Sequence, residues 1–292
     1  MSDSLASAVQ TIDPVAALPP LREVIAHYGL AARRSLGQHF LLDLELTRRI
    51  ARAAGDLSQG TTIEIGPGPG GLTRALLIEG AAKVIAIERD TRCIEALGPL
   101  VYASRQRLEV MNEDARTAEL ASMGDTPRRI VANLPYNIAM PLLMNWLDHA
   151  NSYSHLILMF QREVADRIVA RPGSRTYGRP SVMVQWHCTA RRLFDVPARA
   201  FVPPPKIVSS VISLTPFETP PYPANREDLK AVTAAAFGQR RKMLRTALKR
   251  LPVDSATLLD RAGIDPTARA ETLDIADFAA LARAFTALRE GP

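Results

Sequence analysis

The segment Asn133, Leu134, Pro135 and Tyr136 combines groups that can hold a flat ring carrying an amino group. It follows the segment at residues 129–132, Arg-Ile-Val-Ala, which predicts a buried strand. Asn133 Oδ1 and the main-chain carbonyl of Leu134 or Pro135 would accept the two N–H groups of an exocyclic amine. Tyr136 would stack on the ring. The alternative is an ordinary turn in which Asn and Pro form the bend and the tyrosine is half buried.

A glycine-rich run at residues 66–71 lies between a predicted strand and a predicted helix. Its glycines let the backbone approach a ligand without a Cβ atom in the way, and their spacing matches the dinucleotide-binding pattern. Pro67 and Pro69, however, remove N–H donors that a diphosphate needs. Glu64 precedes the run, and an acid there favours a ligand with a positive charge, such as a sulfonium. An NAD-dependent oxidoreductase is therefore a distant alternative.

Two further acids follow predicted strands. Glu88 comes directly after the run at residues 84–87, where it can accept both hydroxyl groups of a ribose; the alternative is a helix-capping acid. Asp114 follows the run at residues 108–110 and can accept a hydrogen bond from an adenine amino group. Because parallel strands end at the same edge of a sheet, we expect Glu88, Asp114, Asn133 and the glycine run to line one crevice.

These residues depend on a regular alternation of strands and helices that begins at residue 61. The alternation predicts an α/β fold with right-handed crossovers and a mostly parallel central sheet covered by helices on both faces. The predicted organisation is a mobile N-terminal tail at residues 1–18, a main domain at residues 19–217 and a smaller all-α domain at residues 218–292. With 292 residues and 47% apolar content, the chain is long enough to bury a full core.

Phe201 opens a proline-rich bend at residues 201–206, ahead of a last alternating strand. This position makes it the candidate for stacking on the second face of a ring held by Tyr136. The alternative is an aromatic side chain packed in a loop.

The chain has a net charge of +6, and residues 231–253, which contain no Asp or Glu, carry a local cluster of positive charges equal in size to this net charge. The candidates for contact with RNA phosphates are Arg240, Arg241, Lys242, Arg245 and Lys249. The alternative is a solvated helix face without a partner. A second, arginine-rich segment at residues 162–179 suits the same role, although arginine is abundant throughout this chain.

Several classes of protein have no support in the sequence. The two cysteines and five histidines show no metal-ligand spacing, so neither a metal nor a disulfide framework is expected. The chain contains no apolar run of the roughly 18 residues that a membrane span needs, and its first residues do not resemble a secretory signal. We therefore expect a cytoplasmic protein without a membrane partner.

Short motifs around the residues named above resemble, in their residues and in their order along the chain, those of the ribosomal RNA adenine N6-dimethyltransferases. This family uses S-adenosylmethionine. The motifs occupy residues 36–41, 64–71, 87–88, 113–114, 133–138, 160–164 and 202–210. The resemblance implies a Rossmann-like fold and contacts with S-adenosylmethionine from His39, Leu41, Gly66, Glu88, Asp114 and Asn133. Position 39 is often Asn in this family, which favours a main-chain contact there over a side-chain one.

The same resemblance implies the substrate. This would be a pair of adjacent adenosines in the 3′-terminal hairpin loop of 16S rRNA, dimethylated by a monomeric enzyme on an immature 30S particle, with a role in small-subunit biogenesis. One alternative is a large-subunit (23S) adenine methyltransferase of the macrolide-resistance type. Another is a non-catalytic assembly factor, which the intact set of Glu88, Asp114, Asn133 and Tyr136 argues against.

Overall fold

The computed structural model of the protein describes residues 13–32 and 37–291. Most of the predicted mobile tail, residues 1–12, lies outside the described residues, as does Leu36, the first residue of the first motif. The rest of that tail begins with a turn in which Asp13 Oδ1 accepts a hydrogen bond from the amide of Val15, 3.0 Å away. The side chain of Val15 is fully buried.

The described secondary structure alternates strands and helices before it becomes helical. The first elements in chain order are α1 (Leu21–His27), β1 (Phe40–Leu41), α2 (Leu44–Arg52), β2 (Thr61–Ile65), α3 (Gly71–Ile78), β3 (Lys83–Glu88), α4 (Thr91–Ala103), β4 (Leu108–Asn112) and β5 (Arg128–Asn133). The later elements are α5 (Tyr136–Trp146), β6 (His155–Gln161), α6 (Arg162–Ile168), α7 (Arg179–His187), β7 (Cys188–Val196), β8 (Phe201–Val202), β9 (Ser209–Pro216), α8 (Arg226–Gly238), α9 (Leu244–Ala247), α10 (Ser255–Ala262) and α11 (Ile275–Glu290).

The chain divides into two compact units. The first comprises the chain up to Asn133 together with Arg199–Pro204, and the second comprises Leu134–Ala198 and the chain from Pro205 onward. The segment predicted as a separate helical domain, residues 218–292, therefore belongs to the same unit as β6, β7 and β9. Its helical character agrees with the prediction, whereas the domain boundary at residue 217 stays a prediction.

The first unit contains four parallel strands in the order β4, β3, β2, β5. Ile63 of β2 is aligned with Ile85 of β3 on one side and with Ile130 of β5 on the other. Every residue of β2 is buried, as expected for a strand covered on both faces. The carboxyl ends of the four strands therefore lie at the same edge, which confirms the arrangement predicted from the sequence.

The second unit contains three antiparallel strands in the order β6, β9, β7 and a helical core. The core is built around Phe278 of α11 and the buried apolar residues of α8. Asn225 caps α8 by accepting the amide of Asp228, and Asp274 caps α11 in a reciprocal capping box with Asp277. Across the portion of the chain that is described, no helix combines the length and apolar character needed to cross a bilayer.

Candidate active site

The glycine run forms the turn between β2 and α3. The amide of Gly66 donates to the carbonyl of Ile87, 2.9 Å away, and its φ of +67° is in the left-handed region that favours glycine. A Cβ atom at Gly66 would meet no atom of the described residues within 4 Å. At Gly71 the reverse holds, because a Cβ atom there would lie 2.5 Å from the carbonyl oxygen of Leu41. The run is therefore packed against β1 at one end and open at the other.

Glu88 fastens this run to the end of β3. Its Oε2 accepts the amide of Gly68 at 3.1 Å, and its Oε1 accepts the amides of Arg89 and Asp90 at 2.8 and 2.9 Å. Burial raises the pKa of the Glu88 carboxyl, and the three amide donors oppose that rise. Oε2 has one acceptor position left for a ligand hydroxyl. The helix-capping role belongs instead to Asp90, which accepts the amide of Arg92 at the start of α4.

Asp114 follows β4 and is bound by two arginines. Arg116 approaches it with Nη2 at 2.5 Å and Nε at 3.0 Å, and Arg89 Nη1 lies 3.2 Å from Oδ2. The Arg116 side chain is the main reason that the pKa of Asp114 falls to about 2. An adenine amino group at Asp114 would therefore share the carboxylate with these arginines. Neither arginine was predicted from the sequence as part of the site.

Glu64 is a buried carboxyl group beside the glycine run. Its side chain is 1% exposed, and Oε2 has no hydrogen-bond partner among the residues that the structure describes. Burial raises the pKa of Glu64 to about 8, and the negative charge of Glu88 adds to the rise. A cation close to this carboxyl would favour its ionised form and lower its pKa.

The segment at residues 39–41 contacts β8 and the end of β5. Leu41 of β1 pairs with Phe201 of β8 in an antiparallel bridge, and His39 Nδ1 lies 2.7 Å from the carbonyl oxygen of Pro203. The carbonyl oxygen of His39 accepts a hydrogen bond from Asn133 Nδ2 at 3.1 Å. The structure thus brings the predicted residues His39, Leu41 and Asn133 together, along with Gly71 behind them.

Phe201 is 1% exposed, and its ring lies edge-on to the ring of His39 with the centroids 6.4 Å apart. Stacking on a base would require this ring to be uncovered. The role predicted for Phe201 stays a prediction, and the packing in this structure matches the alternative stated for it.

The hydrogen bond from Asn133 to His39 fixes the orientation of the Asn133 amide. Because Nδ2 is the atom that donates, Oδ1 is turned away from the His39 carbonyl, and no described residue donates to it. The acceptor that an amino group requires is therefore available at Asn133.

The next residues of the segment lead from β5 into α5. Leu134 is buried, and Pro135 has a φ of −56° and a ψ of 127° immediately before the helix begins at Tyr136. The Tyr136 hydroxyl lies 2.6 Å from Ser209 Oγ, and burial raises the pKa of the tyrosine. This hydrogen bond anchors the far end of a half-buried ring. Ser209 lies in the motif at residues 202–210, but its hydrogen bond to Tyr136 was not predicted from the sequence.

The basic residues predicted to bind RNA follow α8 and surround α9. The exposed members are Arg241, Lys242, Arg245 and Lys249. Arg240 differs, since its Nε lies 2.8 Å from Glu271 Oε2 and its Nη2 lies 3.2 Å from the carbonyl oxygen of Ser174. Arg240 thus also holds the fold together. Within residues 13–32 and 37–291, no group of three or more His, Cys, Asp or Glu side chains is placed to hold a metal ion.

Known proteins are similar to this chain in sequence over nearly its whole length. The family model described as Ribosomal RNA adenine dimethylase matches residues 29–287. The curated protein Ribosomal RNA small subunit methyltransferase A from Rhodospirillum rubrum is 58% identical over 287 residues, which cover 98% of this chain and 99% of that protein. The protein of the same name from Paramagnetospirillum magneticum is 59% identical over 273 residues, 94% of this chain and 97% of that protein.

Solved structures support the fold. A dimethyladenosine transferase from Plasmodium falciparum superposes with a TM-score of 0.73 at 27% identity, covering 83% of this chain and 96% of that one. The 23S rRNA methyltransferase ErmE superposes with a TM-score of 0.65 at 24% identity, covering 85% of this chain and all of that one. The predicted α/β methyltransferase fold is confirmed.

Proposed function

We propose, since the chain belongs to the ribosomal RNA adenine dimethylase family, that it transfers methyl groups from S-adenosylmethionine to N6 of two adjacent adenosines of 16S rRNA. Each adenosine would be dimethylated, and both would lie in the 3′-terminal hairpin loop. The observation that carries this proposal is the orientation of Asn133, whose Oδ1 is free to accept an N6 amino hydrogen while Nδ2 is held by His39.

The reaction is a displacement at a methyl carbon and needs alignment more than a strong base. When bound, S-adenosylmethionine supplies a methyl group activated by a positively charged sulfur. The N6 lone pair of adenine is delocalised into the ring, so the amine is a weak nucleophile until its hydrogens are held. Asn133 Oδ1 would accept one of these hydrogens and direct the lone pair toward the methyl carbon. A carbonyl of the adjoining Leu134 or Pro135 would accept the other. As the N–C bond forms, the C–S bond would break and release a neutral thioether, and the methylated nitrogen would lose one proton to solvent.

Tyr136 would hold the face of the adenine ring. Its hydroxyl is bound to Ser209, which limits rotation of the ring and so presents a fixed surface for stacking. Because the target base must leave its stack to reach the enzyme, this contact would offset part of the energy of unstacking.

The residues around the glycine run suit S-adenosylmethionine. The open side of Gly66 allows close approach, Glu88 Oε2 would accept a ribose hydroxyl, and Asp114 would accept the adenine amino group of the cofactor. His39 and Leu41 would complete the site through their main chain. Glu64, a buried carboxyl whose Oε2 has no hydrogen-bond partner among the described residues, would favour the positive end of this ligand once ionised.

The proposed partner is the rRNA of an immature 30S particle, bound by a monomer in the cytoplasm, where subunits are assembled. Arg241, Lys242, Arg245 and Lys249 are exposed and would neutralise RNA phosphates, with Arg240 beside them. Relatives with more than half of their residues identical to this chain are named for the small subunit. The similarity to the structure of the 23S enzyme, at 24% identity, is evidence for the fold and not for the substrate.

The test is incubation of the protein and methyl-labelled S-adenosylmethionine with unmodified small and large ribosomal subunits in separate reactions. We expect label in the RNA of the small subunit only. Label in the large subunit alone would instead support the macrolide-resistance type of enzyme. A protein that binds small subunits but incorporates no label would support the non-catalytic assembly factor.

A further inference from the structure

A cleft of about 470 Å³ lies in the second unit, away from the glycine run and the segment at residues 133–136 in sequence. We call it the arginine cleft and define it by Arg167, Arg175, Arg179, Phe237 and Arg240, which come from α6, the loop after it, α7 and the end of α8. Its volume falls within the roughly 300–1,000 Å³ that is typical of ligand sites.

The arginines of the cleft differ in whether their charge is balanced. Arg167 Nη2 lies 2.6 Å from Glu163 Oε1, and Arg240 is paired with Glu271. Arg175 and Arg179 are exposed, and neither has an ion pair or a side-chain hydrogen bond to a described residue. The cleft therefore holds two uncompensated positive charges on guanidinium groups, which match the shape of a phosphate better than an ammonium does.

The loop that carries Arg175 is held in place by its ends. The amide of Gly173 donates to the carbonyl of Glu271 at 2.7 Å, and the Arg240 side chain reaches the carbonyl of Ser174. On the other side, Ser181 Oγ of α7 donates to the carbonyl of Arg167 at 2.5 Å. A cleft held in this way loses little conformational entropy when it binds a ligand.

An aromatic side chain lies beside the charges. Phe237 is half buried and lines the cleft, and its ring is stacked on Phe278 with the centroids 5.4 Å apart. Tyr177 contacts the same ring edge-on at 5.9 Å. The orientation of Phe237 is thus set by its neighbours. A fixed aromatic ring next to arginines suits a nucleotide, since the base can stack while the phosphates are neutralised.

We propose that the arginine cleft binds a single-stranded segment of RNA, with Arg175 and Arg179 on successive phosphates and Phe237 against one base. This inference rests on the proposed function in taking RNA as the substrate. It adds a contact outside the catalytic segment, at a cleft that shares only Arg240 with the basic cluster around α9. An acidic protein segment would satisfy the two charges but would make no use of the aromatic ring.

The test measures binding of a fluorescent single-stranded RNA oligonucleotide to the full chain between 50 and 200 mM salt. The variant is R175Q/R179Q, and the matched control is R22Q/R261Q, which removes the same charge from two exposed arginines outside the cleft. Loss of two phosphate contacts on a single strand should lower the salt slope by about 1.4, equivalent to about 25-fold in affinity at 0.1 M salt. The control should stay within about 2-fold of the parent protein.

A second measurement locates the base. Irradiation of the parent protein with the RNA should crosslink the tryptic peptide at residues 231–240, which contains Phe237, and R175Q/R179Q should lose this crosslink. Equal affinity and slope for R175Q/R179Q and R22Q/R261Q would overturn the proposal. So would an intact RNA affinity in R175Q/R179Q combined with lost binding of polyglutamate, which would assign the cleft to an acidic protein segment.

The proposed function can fail separately. If the parent protein does not methylate small subunits but R175Q/R179Q loses RNA affinity as expected, the proposed reaction is refuted and the RNA-binding role of the arginine cleft is supported. If the parent protein methylates small subunits but R175Q/R179Q binds RNA as its control does, the proposed reaction is supported and the RNA-binding role of the arginine cleft is refuted.

Discussion

Replacement of Asn133 by Ala removes two interactions that act in different places. One is the hydrogen bond from Nδ2 to the carbonyl of His39, which belongs to the folded protein. The other is the proposed hydrogen bond from the adenine amino group to Oδ1, which strengthens as N6 gains positive charge in the transition state. We therefore expect N133A to lose turnover far more than stability.

The two losses differ in size. An aligned group that stabilises charge in the transition state contributes about 3–4 kcal/mol, so turnover should fall by roughly 100- to 1,000-fold. The His39 carbonyl loses one hydrogen bond in a half-buried position, which costs about 1 kcal/mol of folding stability. The affinity for small-subunit RNA should change by less than about 3-fold, because contacts with phosphates are spread over arginines and lysines elsewhere.

The assay is single-turnover methylation of small subunits, together with filter binding of the RNA and thermal unfolding of the protein. The matched control is N145A, which changes an exposed asparagine of α5, the helix that follows β5, and this asparagine has no side-chain hydrogen bond to a described residue. N145A should match the parent protein in all three measurements. If N133A lost RNA binding and turnover to the same extent, the catalytic assignment of Asn133 would be refuted.

Three further sets of substitutions test Glu64 and the glycine run, which we assign to S-adenosylmethionine, and the stacking of Tyr136 on the adenine ring. Because the pKa of Glu64 is raised in the folded protein, its contribution to stability is full below its ordinary pKa of 4.5 and is lost as pH rises toward about 8. In E64Q the unfolding free energy should therefore fall less between pH 5 and 8 than in the parent protein. An equal fall in both proteins would contradict a raised pKa of Glu64. G71A places a Cβ atom 2.5 Å from the Leu41 carbonyl and should cost about 1–3 kcal/mol, whereas G98A, in open space within α4, should be neutral or stabilising by up to about 1 kcal/mol in chemical denaturation. Y136F should keep most of the methylation rate while Y136A loses it, and equal rates for the two variants would exclude stacking by Tyr136.

The sheet of the first unit was predictable from the sequence because its signals are local. Short apolar runs that end in Glu88, in Asn133 or just before the glycine run mark strands and their carboxyl ends. The right-handed crossover rule then places those ends at one edge without knowledge of any distant contact. The positions of the acceptor groups followed directly.

The contacts that complete the site were not predictable, because they join residues far apart in the chain. The two-residue strand β1 pairs with β8 across about 160 residues, and this pairing covers Phe201. Arg89 and Arg116 bind Asp114, and a run of charges in a sequence does not indicate which charges pair. The same limit applies to Arg240, whose position in a basic cluster concealed its ion pair with Glu271.

Mass analysis of small-subunit RNA after incubation with this protein and S-adenosylmethionine would identify the methylated atoms directly. We expect N6,N6-dimethyladenosine at two adjacent positions in the 3′-terminal hairpin loop, and at least about 100-fold slower formation of it with N133A. Methylation of another nucleotide, of a ring nitrogen or of large-subunit RNA would contradict the proposed function.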